Sequence, residues 1–135
     1  MTKINISTAT TTQLNYLVLV CEMGPVSLTR TDARMDSPAA YIIEWSSKWE
    51  NGGWEYLGNL NYTTDWSLMG PIIDRIDGVL LKRWVRSNRE GKCQVEIHNN
   101  DGDWIAFGPT LGVAAARCYV ASKLGEEVEI PEELI

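Results

Sequence analysis

The stretch from Gly108 to Gly125 carries a start, a period and a stop for one helix, and it limits the possible folds more than any other part of the chain. Pro109 or Thr110 stands where a helix begins, and Leu111, Ala114, Cys118 and Ala121 recur on one face. Lys123 falls in the last turn, where a cation meets the negative end of the helix dipole, and Gly125 supplies the left-handed closing residue. The small residues of that face allow a close neighbour, which is either a sheet of the same molecule or a second subunit in a homo-oligomer.

Before this helix, Cys93, Val95 and Ile97 alternate with Gln94, Glu96 and His98, the pattern of a strand with one buried face. Val79 to Arg86 and Asp103 to Phe107 complete a meander, with turns at Ser87–Gly91 and Asn99–Gly102. Leu14, Leu17, Val18 and Cys21 predict a first helix behind Thr10–Thr12, ended by Gly24-Pro25. Tyr41–Trp45 reads as a further strand, Val26–Ala40 as an irregular connection, and Ser46–Leu60 as a turn or exposed loop around Asn51-Gly52-Gly53. Thr63 or Thr64 is expected to cap a helix through Asp65 to Asp77 that starts near Gly70 or kinks at Pro71. Helices on either side of an antiparallel meander predict an α+β fold, with the sheet packed on two or three helices. One domain over 1–135 is expected, its acidic residues 126–135 a solvated tail.

A net charge of -6 argues against affinity for duplex nucleic acid or anionic membranes, both of which need Lys and Arg on the contact face. Lys82, Arg83, Arg86, Arg89 and Lys92 form the one basic cluster, either a solvated hairpin face or a phosphate site. Cys21, Cys93 and Cys118 are widely spaced and lack any Cys-x-x-Cys pattern, so they read as buried thiols in a reducing cytoplasm and not as zinc ligands. No run approaches the roughly 20 apolar residues of a membrane span. His98 is the only histidine and lies on the polar side of its strand; no nucleophile elbow, phosphate loop or metal spacing accompanies it. Asp74 and Asp77 read as helix-surface residues. The expectation is therefore a protein without catalytic residues, metal or cofactor.

The 6 Trp against one Phe point to binding. Trp45, Trp49, Trp54 and Tyr56 crowd around a glycine turn, and Tyr62 and Trp66 follow; aromatic faces stack on planar rings, nucleobases included. Asp65 suits ribose hydroxyls, Arg75 or Arg83 suits a phosphate, and the turn at Gly70 adds polar contacts. The candidate ligand site is accordingly Trp45, Trp49, Trp54, Tyr62, Asp65, Trp66, Gly70, Arg75 and Arg83. The same aromatics also suit a protein partner.

Asn61-Tyr62-Thr63-Thr64-Asp65-Trp66, Gly70-Pro71-Ile72-Ile73-x-Arg75, Gly108-Pro109-Thr110 and the run from Ala114 to Leu134 together resemble the NinX-like family of tailed-phage and prophage proteins. Gly112 and Ala116 depart from the bulkier residue and the methionine that the family leads one to expect. The resemblance implies a small non-structural phage product in the cytoplasm of the infected host, with no enzymatic activity to carry over. It is compatible with sequestering a nucleotide-like immune signal, or else with docking on a host protein. A nucleotide-cleaving enzyme is the third option.

Overall fold

A computed structural model describes residues 1–24, 26–30, 41–45, 53–83 and 93–135. Its helices are α1 (Thr11–Met23), α2 (Trp66–Asp74) and α3 (Leu111–Leu124). The strands are β1 (Thr2–Asn5), β2 (Val26–Arg30), β3 (Tyr41–Trp45), β4 (Gly53–Tyr56), β5 (Val79–Arg83), β6 (Cys93–Asn99), β7 (Gly102–Gly108) and β8 (Glu127–Ile130). All pairings are antiparallel and the class is α+β, as the sequence predicts.

Local chemistry fixes the helix ends. Thr110 caps α3 by accepting from the Val113 N–H at 3.2 Å, and Gly125 closes it at a φ of 92°. At α1, Thr10 accepts from the Gln13 N–H at 3.2 Å while the Gln13 side chain accepts from the Thr10 N–H at 2.9 Å, a reciprocal capping box. The cap of α2 is Asp65, not Thr63 or Thr64, and the helix ends at Asp74 with Pro71 inside it. A carboxylate on the dipole's positive end outcompetes the hydroxyls just before it.

Helix α3 packs on β6, β7 and α1, with Ala114, Ala115, Ala116, Cys118 and Val120 at 0% exposure. Its small side chains let the sheet approach closely, so the face that suited a second subunit is spent inside the molecule. Cys93, Val95 and Ile97 are buried as their alternation requires. Helix α1 is buried from Gln13 through Leu19, well beyond the single stripe expected, because α3 and the turn at Leu57–Asn59 both cover it.

The predicted meander is present as β5-β6-β7, and among the described residues two further sheets, β1-β8 and β2-β3-β4, accompany it. Three expectations fail. Val26–Arg30 is a strand paired with Tyr41–Trp45, and Gly53–Tyr56 is a strand within the supposed loop. Cross-strand pairing decides both, since Val26 and Leu28 alternate with Ser27 and Thr29 and need only a partner to be ordered. The acidic end is no solvated tail: β8 pairs with β1 from Thr2↔Ile130 to Asn5↔Glu127, and Val128, Ile130 and Leu134 are buried while the glutamates face water. Each buried aliphatic side chain stabilises by roughly 1.5–3 kcal/mol, which outweighs the end entropy. Gln13 adds a tie by donating to the Leu134 carbonyl at 2.9 Å.

Candidate functional site

The loop into α2 is held from behind by α1. Asn15, 6% exposed, accepts from the Thr63 N–H at 3.0 Å, and the Asn61 carbonyl accepts from Asp65 N–H at 2.8 Å. Gly112 fits against this loop: a Cβ there would stand 2.0 Å from the Thr63 carbonyl oxygen, so the absence of a side chain is what lets α3 touch the loop backbone. Trp66 opens α2 with its indole lying over Gly70, where a Cβ would meet the ring nitrogen at 2.9 Å. Trp66 as a residue remains 44% exposed.

Between these parts lies a hollow of about 230 Å³ lined by Tyr62, Thr63, Thr64, Trp66, Thr110 and Gly112. It faces the first turns of both α2 and α3, whose N-terminal partial charge is positive. The Thr63 hydroxyl is buried and has no partner among the described residues. Tyr62 is half-buried; desolvation and then the Glu22 charge push its phenol above the ordinary range, keeping it a neutral donor.

The hollow joins Tyr62 to Trp66, with Asp65 and Gly70 supporting them. Asp65 spends one oxygen on the Ser67 N–H at 3.0 Å and the Ser67 hydroxyl at 2.6 Å. Arg75 does not line the hollow; it is ion-paired with Glu22, which also accepts from the Tyr119 hydroxyl at 2.8 Å. Trp54 stands on β4, 58% exposed, edge-on to Tyr56 at 5.3 Å. Arg83 is exposed at the end of β5, and neither it nor Trp54 lines the hollow. Trp45 ends β3 opposite Val26 and Gly53, its ring outside the described parts; Trp49 lies outside the described residues, as do Arg86, Arg89 and Lys92. Lys82 pairs with Glu96 at 3.1 Å.

A larger concavity escapes sequence reading. A groove of about 670 Å³ runs beside β7, with Trp104, Phe107, Arg117 and Glu126 in its walls. Arg117 donates to the Phe107 carbonyl at 2.9 Å and the Ala9 carbonyl at 3.1 Å, and no carboxylate pairs with it among the described residues. Burial lowers its pKa from the usual guanidinium value. On the outer sheet face, His98 bridges Asp103 at 2.8 Å and Glu96 at 3.2 Å. Burial pushes the Cys21 and Cys118 thiols up to about 12, which leaves them protonated. Among the described residues no group of His, Cys, Asp and Glu suits a metal, and no helix is long and apolar enough to cross a membrane.

Comparison with known proteins places this architecture. The 2.0 Å crystal structure of a phage protein from Bacillus cereus ATCC 14579 superposes with a TM-score of 0.54 at 14% identity, covering 85% of this chain and 93% of the other, a likeness of fold alone. No curated protein matches the chain. The family model described as Bacteriophage P22, NinX matches residues 5–123, from the strand before α1 to the last turn of α3. The chain thus belongs to the P22 NinX family of phage proteins.

Proposed function

We propose that this phage protein holds a small planar ligand of nucleotide type in the hollow between α2 and α3, sequestering a signal of the host's defence without altering it. The observation that carries this reading is the Trp66 indole, half in water and backed by Gly70, at the mouth of a hollow that Tyr62 and three threonines line. A base stacks on the indole, worth roughly 1–3 kcal/mol, while hydroxyls and the free Asp65 oxygen serve a sugar. Among the described residues no cation lines the hollow, so an anionic group draws on the first turn of α3. At about 230 Å³ the hollow is smaller than a usual drug-sized pocket of roughly 300–1,000 Å³, which favours one nucleoside held while the remainder stays outside.

The test is to incubate the purified protein with cyclic dinucleotides and ADP-ribose-type nucleotides, follow the melting temperature, then release the ligand by heating and weigh it. Stabilisation by one compound, intact release, and loss of both in Trp66→Ala support sequestration. A degraded product would point to catalysis in the host cytoplasm instead. A second reading, docking on a host protein, is favoured by the exposed Trp54–Tyr56 pair. No thermal shift with any nucleotide, together with a host protein retained by wild type but not by Trp54→Ala, would replace the first reading with the second.

A further inference from the structure

The groove beside β7 is walled by a strand edge that no other strand pairs among the described residues. The β6–β7 hairpin closes at Asn99↔Gly102, so Gly102, Trp104, Ala106 and Gly108 turn their backbone groups to β6. Asp103, Ile105 and Phe107 turn theirs the other way. The bond from Arg117 to the Phe107 carbonyl confirms this phase, and the His98 N–H bonding to the Gly78 carbonyl on the far side of β6 agrees with it. The outward N–H and C=O of Ile105 and the N–H of Phe107 have no partner among the described residues.

The opposite wall is the backbone from Ile6, whose N–H bonds to the Glu126 carbonyl at 2.8 Å, to Ala9, held by Arg117. The groove therefore lies along the strand and has charged ends of opposite sign. Arg117, a cation without an anion, stands at the Phe107 end. Asp103, which also holds His98 at 2.8 Å, stands four residues back along β7, roughly 13 Å away at a strand's rise of about 3.3 Å per residue, and Glu126 lines the same groove. Exposed edges are normally blunted by charge or cover; here, among the described residues, the edge is bordered but left open.

We infer that an extended peptide segment adds to β7 as a parallel strand, its C-terminal carboxylate at Arg117 and a basic residue near its start at Asp103 and Glu126. Main-chain pairing would supply affinity, and the two charged ends direction. This site is separate from the nucleotide hollow and uses none of its lining residues.

The probe is a synthetic pentapeptide of alternating Val and Thr, with an N-terminal Lys and a free C-terminal carboxylate, titrated into isotope-labelled full chain. The Ile105 and Phe107 amide signals should shift and their hydrogen exchange should slow. The same peptide with an amidated C-terminus should bind about tenfold more weakly, the loss of about 1.4 kcal/mol from one charge-assisted contact. Ile105→Pro deletes one outward N–H and no bond to β6, so it should keep the far-ultraviolet spectrum and lose the peptide. If that variant misfolds, the wild-type titration decides alone. Unmoved Ile105 and Phe107 amides at millimolar peptide, or equal binding of acid and amide, overturn the proposal. So does a dimer in sedimentation that Ile105→Pro disperses, because the edge would then belong to a second copy.

Discussion

The hollow and the groove sit on opposite sides of the start of α3, with Thr110 and Gly112 in one and Gly108 and Pro109 in the other, yet they are built from different material. The hollow offers side chains, two aromatic rings and threonine hydroxyls, over backbone already satisfied by caps and by Asn15. The groove offers main-chain donors and acceptors and one uncompensated charge. Composition finds the first kind of site, since an excess of Trp is visible in a count. It is blind to the second, because any residue can carry an open strand edge.

The largest test of that contrast is Gly112→Ala. Its Cβ would collide with the Thr63 carbonyl, forcing α3 from the loop at a cost of about 3 kcal/mol. Thermal denaturation should show the loss, nucleotide binding should vanish, and the groove's amides should still answer the peptide; if both sites fail together, they are one structural unit. Asn15→Leu comes next, at about 2 kcal/mol, because the buried Thr63 N–H loses its acceptor; an unchanged denaturation midpoint would mean another group replaces it. Trp66→Ala should leave the melting temperature nearly unchanged and weaken nucleotide binding about tenfold, as read by calorimetry. Thr110→Ala should cost about 1 kcal/mol through the lost α3 cap, measured by urea denaturation.

The smallest effect is a pH dependence on the outer face of the β5-β6-β7 sheet. The hydrogen bond to Asp103, then that to Glu96, raise the His98 pKa from 6.5. Its stabilisation is therefore complete below the unfolded value and is lost as pH rises through the higher folded one. The advantage of wild type over His98→Gln in melting temperature should be largest near about pH 6 and shrink towards about pH 8. A constant difference would show that neither carboxylate holds the proton.

The sheet β5-β6-β7 with α3 is legible because alternation, turn residues and caps all lie within one continuous stretch. That Tyr62 and Trp66 come together is legible for the same reason, since both stand beside a capped helix. The β1–β8 pairing is not: each strand has four residues, and Thr2 meets Ile130 only in the folded chain. Gly112 reads as a flaw in α3 until the Thr63 carbonyl is placed against it. The partner of Arg75 is hidden in the same way, since Glu22 reaches it from another helix and it does not line the hollow.

The long separation within the β1–β8 ribbon has a kinetic meaning. Synthesis delivers β1 more than a hundred residues before β8, so it must wait unpaired while α1, the central sheet and α3 assemble. The ribbon should therefore be the last element to close during folding, and the rate of that step should be set by the search of two distant segments for each other.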